Sequence, residues 1–192
     1  MSKKVTFKES RVITTTILLF VTGAMFSIIP EGNPLFFIVN LSLAIIAGLL
    51  FYVFWRRLKH TSIRYFSLLS FVMINVFAIY FAMPLLRLFY PTFIFWIGIF
   101  ILMVMNILPY LFSKTIAYGV QKPNKSILGR IYIVYAILIM LFGSVIYSNS
   151  LYTQHTDAFA LAIVLFLFSI LFFFLSPIML IKPETMKKIL NK

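Results

Sequence analysis

The sequence predicts an all-α integral membrane protein: one bundle of six transmembrane helices, with the N-terminus and the C-terminus both cytoplasmic. Three observations carry that expectation. Six apolar runs are each long enough to cross a bilayer and hold no charged residue. Basic residues crowd into alternate connections between the runs. Tyr and Trp gather near the ends of the runs, where amphipathic rings meet headgroups.

Composition sets the class. Of 192 residues, 62% are hydrophobic and 11% are charged, whereas a soluble domain is about half apolar and about a quarter charged. Too little polar surface remains to cover such a chain in water, and a bilayer is the solvent that suits it. The length corresponds to a single domain, residues 1–192, filled almost entirely by the bundle.

The runs are 12–29, 35–55, 65–83, 92–112, 131–149 and 158–181. Crossing roughly 30 Å of hydrocarbon takes about 17 to 25 helical residues. In lipid each segment must satisfy its own backbone groups, which makes these helices and not open strands. Barrel strands would be shorter and would alternate polar with apolar residues, and these runs do not.

Taken in order, the connections give the orientation. The N-terminal segment holds Lys3, Lys4, Lys8 and Arg11, and the second connection holds Arg56, Arg57, Lys59 and Arg64. The fourth holds Lys114, Lys122, Lys125 and Arg130, and the C-terminal segment holds Lys182, Lys187, Lys188 and Lys192. Among the other three connections only Arg87 is basic. Retained Lys and Arg mark the cytoplasmic side, so the expectation is a multi-pass protein of the cell (cytoplasmic) membrane, N-in and C-in. Aromatic placement agrees, with Tyr52, Trp55, Tyr65, Tyr110 and Tyr132 near the inner interface. Tyr80, Tyr90, Trp96, Tyr147 and Tyr152 fall near the outer one.

The first run follows a basic stretch, as a secretory signal does. It has no small-x-small cleavage site, and it reads as a retained first span. The outer turns 30–34 and 84–91 are short and rich in proline, closing tight helical hairpins. In the inner connection 113–130, Gly119 and Pro123-Asn124 read as a turn, and 114–121 as a segment along the interface. No extramembrane domain is expected, and the two halves show no sequence echo of an inverted repeat.

Helical spacing aligns small and polar residues on one face of several spans. Thr15, Thr16, Thr22, Gly23 and Ser27 do so in the first, and Asn40, Ala44, Ala47 and Gly48 in the second. Ser67, Asn75, Ala78 and Ala82 align in the third, and Ala158, Ala162, Ser169 and Ser176 in the sixth. Small residues let helices approach closely in lipid, while hydroxyls and amides bond across them. Asn40, Asn75 and Asn106, with Thr22 and Ser169, are therefore candidates for helix contacts or for a polar intramembrane cavity. Pro109 lies three residues after Asn106, where a freed carbonyl would serve a site or a kink.

The absences narrow the chemistry. No Asp, Glu, Lys, Arg or His lies within a run, so carboxylate-based proton coupling has no residue to use. The acidic residues are only Glu9, Glu31, Asp157 and Glu184, two expected on each side. His60 and His155 are expected at opposite surfaces, which denies a serine nucleophile its base and rules out a bis-His haem. With no cysteine there is no disulfide, thiolate or Cys-bound metal. No phosphate loop or nucleotide fingerprint occurs. No catalytic set, metal site or cofactor is expected.

Two surface groups remain. Glu31, Arg87, His155 and Asp157 would sit together outside, as a small polar patch or as solvated turn residues. The inner runs Arg56-Arg57-Leu58-Lys59-His60 and Met186-Lys187-Lys188 suit anionic lipid headgroups or a cytoplasmic partner. Flanking a bilayer in this way, the net charge of +13 does not point to nucleic acid. Lys in excess of Arg, with abundant Ile and Phe, suggests a bacterium with an AT-rich genome. The function expected is a non-enzymatic membrane subunit of a transport, secretion or envelope assembly, with protein partners in the membrane or cytoplasm. The alternatives are a self-contained facilitator or binder of a neutral or amphipathic small molecule, and an immunity protein against a membrane-active toxin.

Overall fold

The computed structural model describes residues 4–29, 31–153 and 157–190, and among these it is all helical. The elements are α1 (Val12–Ile28), α2 (Pro34–Leu58), α3 (Ser62–Leu88), α4 (Phe93–Leu111), α5 (Ser113–Gln121), α6 (Ile127–Thr153), α7 (Ala158–Leu175) and α8 (Pro183–Leu190). Short 3-10 turns occupy Pro123–Lys125 and Ser176–Leu180. Five helices, namely α2, α3, α4, α6 and α7 with its following turn, are long and apolar enough to cross a membrane. At 17 residues, α1 is apolar but shorter.

Local chemistry starts and stops several helices. The Asn33 side chain accepts from the Leu35 amide at 2.9 Å, and Pro34 opens α2 where its missing N–H costs nothing. Asp157 caps α7, its Oδ1 accepting from the amides of Phe159 (3.0 Å) and Ala160 (3.1 Å). At the other end of α7, Pro177 has no N–H to offer the Phe173 carbonyl. The Ser176 hydroxyl donates to that carbonyl instead, at 3.2 Å, and the chain tightens into the 3-10 turn.

Three expectations need correction. The third helix does not stop before Pro84 but runs through it to Leu88. Pro84 is fully buried, so packing from neighbours holds the helix across the hydrogen bond it loses. The C-terminal segment is not plain tail but contains α8. Its signals stand in the sequence, with Pro183 at the start, Glu184 in the first turn and Lys187 near the end. Tyr65 and Tyr80 are not interfacial rings. Both are fully buried, because each hydroxyl finds a carbonyl inside the bundle: Ser10 at 2.7 Å and Asn40 at 2.9 Å.

The hub is α3. It packs on α1 and α2 along one side and most extensively on α7 along the other, and α7 in turn meets α4 and α6. Buried Ala78 and Ala82 of α3, with Ala162 and Ser169 of α7, supply the small faces for close approach. Outward faces of α4 and α6 carry Phe93, Phe100, Ile107, Ile131, Leu138 and Val145, all exposed.

At one end of the bundle the basic segments gather. Segment 4–11 folds back under α2 and α3, with the Val5 amide donating to the Lys59 carbonyl and the Trp55 indole to the Val5 carbonyl. The Arg64 guanidinium donates to the Leu180 carbonyl at 2.7 Å, and the Ser67 hydroxyl to that of Met179. Packed on α6, α5 also touches the second 3-10 turn and α8.

Candidate functional site

Asn40, Asn75 and Asn106 do not share one cavity. Asn40 is fully buried where α1, α2 and α3 meet. Its amide nitrogen donates to the Gly23 carbonyl (3.1 Å) and the Ser27 hydroxyl (2.9 Å), while Ser27 donates to Gly23 at 2.7 Å. Tyr80 closes the knot from α3. Gly23 is required there, since a Cβ on it would lie 2.9 Å from the Tyr80 hydroxyl. This is helix joining. The Asn40 Oδ1 and the buried Ser169 Oγ have no partner among the described residues.

Thr22 is spent locally. Its hydroxyl donates to the Leu18 and Leu19 carbonyls of its own helix, at 2.8 and 3.2 Å. A half-buried threonine bonded in this way has spent its one hydroxyl proton on its own helix and offers a ligand no donor.

Asn75 and Asn106 do come together. Both line a cleft of about 370 Å³ between α3 and α4, with Phe173 of α7 at its side. Ile79, Ala82, Met83, Leu102 and Met103 complete an otherwise apolar wall. Asn75 lies near the middle of α3, and its amide donates to the Phe71 carbonyl one turn below at 2.8 Å. Asn106 is exposed and has no hydrogen-bond partner among the described residues. Helices α3 and α4 touch only sparsely, which is why the cleft exists and opens at the bundle surface. Chemically it offers two amides inside an apolar slot. It can bond a hydroxyl, carbonyl or ester oxygen and cover a hydrocarbon chain, and it holds no acid or base.

Of the outer group, Arg87 and Glu31 meet through the main chain. The guanidinium donates to the carbonyls of Ser27 (3.1 Å), Ile29 (3.0 Å) and Glu31 (2.5 Å) and lies 4.6 Å from the Phe36 ring centroid. It thereby closes the carboxy end of α1, whose last carbonyls have no helical partner. Asp157 is occupied as the cap of α7, and His155 lies outside the described residues.

Sequence reasoning missed this role of Arg87. A signal was present: one arginine stands alone among connections otherwise free of basic residues, at odds with the charge bias. Comparison of the chain with known protein families, with curated proteins and with solved structures gave no match.

Proposed function

We propose that this is a non-enzymatic, six-span protein of the cytoplasmic membrane that holds an amphipathic, lipid-like molecule in the cleft between α3 and α4. The observation that carries the reading is the meeting of Asn75 and Asn106 in one laterally open, otherwise apolar slot. A molecule entering from the bilayer needs no aqueous path to reach it. Its uncharged polar group replaces nothing but lipid beside Asn106, so hydrogen bonding there is gained at small desolvation cost.

Native mass spectrometry of the protein released from membranes tests the reading. Wild type is expected to retain a lipid-sized adduct, and Asn75→Leu/Asn106→Leu to lose it while still folding. Asn40→Leu lies outside the cleft and should keep the adduct. Equal retention by the double variant and wild type would sink the binding role.

The six-span reading takes α1 as a span, and the gathering of the basic segments at one end supports the N-in, C-in orientation. The chain has no cysteine, so single cysteines at Arg57 and Lys125 report the side directly. Both are expected to be labelled from the cytoplasm only; labelling from opposite sides would discard the topology.

A second reading, a membrane-embedded subunit of a transport, secretion or envelope assembly, draws on α4 and α6. Both lean on α7 and leave an apolar crevice between them, lined by Met105, Leu128, Ile131, Tyr135 and Phe174. In the same mass spectra a stoichiometric second polypeptide would support a subunit. A lone protein would set that reading aside.

A further inference from the structure

A second cavity, of about 260 Å³, lies at the basic end of the bundle where α4 passes into α5 and the turn after α7 passes into α8. Its polar lining is Tyr110, Ser113, Lys114, Lys182 and Thr185, and its floor is Pro177, Leu180 and Ile181. Neither lysine is paired with a carboxylate among the described residues, and both are exposed. Two ammonium groups and three hydroxyls around an apolar floor form a donor-rich pocket with no negative charge on its wall.

The pocket continues the line of the α3–α4 cleft. Tyr110 follows Asn106 by one helical turn on α4, and Pro177 follows Phe173 by one turn after α7. Tyr110, on the wall of the pocket, meets the Phe71 ring of α3 edge to face, with centroids 6.3 Å apart. From Tyr110 up to Ile99 at the far part of the cleft, α4 rises about 16 Å. Along this face, then, a donor-rich basic pocket is followed by two amides and then by hydrocarbon-lined walls. That is the polarity order of a phospholipid: phosphate, ester carbonyls, acyl chain.

We propose that the pocket around Lys114 and Lys182 binds the phosphate headgroup of an anionic phospholipid whose acyl region occupies the α3–α4 cleft. The proposal rests on the cleft reading above and adds to it the class of ligand. Lys114 and Lys182 neutralise the headgroup charge, Tyr110, Ser113 and Thr185 donate to phosphate oxygens, and Asn106 reaches the ester region. Lysines near a membrane surface each strengthen attraction to anionic lipid about five-fold. Their pairing on one pocket gives the preference a fixed place in the structure.

The test uses the full chain in detergent, with phosphatidylglycerol, phosphatidylcholine of the same acyl chains, or inorganic phosphate added, and reads bound lipid by native mass spectrometry. Wild type is expected to prefer phosphatidylglycerol over phosphatidylcholine by about 25-fold, about five-fold for each of the two lysines. Lys114→Gln/Lys182→Gln should erase that preference while still retaining phosphatidylcholine, and Lys125→Gln should leave it intact. Inorganic phosphate should not displace the lipid. Equal binding of the two lipids by wild type overturns the headgroup assignment and leaves the cleft reading standing. Loss of preference in Lys125→Gln to the same degree also overturns it, since charge would then act without a site. Displacement by free phosphate overturns the lipid as the source of the anion. Retention of neither lipid by wild type removes the cleft reading as well.

Discussion

Arg87→Met is expected to lower the unfolding free energy by about 2 to 3 kcal/mol, read as a fall in thermal midpoint in detergent. Three carbonyls, of Ser27, Ile29 and Glu31, converge on this guanidinium. Two come from the last turn of α1 and the residue just past it, where no following helical amide donates to them. Met matches the length of the stem but leaves all three oxygens to water or lipid headgroups. It also removes the cation from the face of Phe36, an interaction worth about 0.5 to 1 kcal/mol at a part-exposed site. Arg87→Lys should recover only part of the loss, because a single ammonium on a flexible stem does not span three fixed acceptors. Unchanged stability in Arg87→Met would show that the clamp contributes nothing and that α1 is held by packing alone.

Gly129→Ala should cost about 3 kcal/mol, and for a different reason. A Cβ at Gly129 would lie 2.3 Å from the Gly119 carbonyl oxygen and 2.6 Å from the Pro123 Cα. Both are main-chain atoms, so no rotamer change relieves the overlap, and α5 must move away from α6. Limited trypsin digestion reads that movement, since Lys125 lies in the connection that would loosen and Arg130 in the first turn of α6. Faster cleavage there, with a lowered thermal midpoint, is the expected pair of results. Gly143→Ala is the control. Its Cβ would meet only a Val164 methyl at 3.6 Å, ordinary contact, and it should be neutral. Equal behaviour of the two alanine variants would refute the close-approach account.

Arg64 and Arg87 illustrate how far the sequence reaches. Both are visible as charges, one in a basic cluster and one alone. What each does is to gather carbonyls from another helix: Leu180 from the chain after α7, and the end of α1. An arginine has five donors and no mark in the sequence of the acceptors it will meet. The same holds for Tyr65 and Tyr80. Composition makes each a candidate for an interfacial ring, and only the positions of the Ser10 and Asn40 carbonyls draw them inside.

Apolar run length, absence of interior charge and the alternation of basic connections are one-dimensional properties. A bilayer acts on them segment by segment, so the chain by itself determined an all-helical class with apolar helices long enough to cross a membrane. Which of Asn40, Asn75 and Asn106 joins helices and which two face a common slot depends on how α3 turns relative to its neighbours. That rotation is set by small-residue contacts with α7 on one side and by the Asn40–Tyr80 bond on the other. Contacts between residues 40 apart in the chain, or farther, leave no periodic trace along it. The cleft, the basic pocket below it and the arginine clamp therefore belong to the tertiary structure alone.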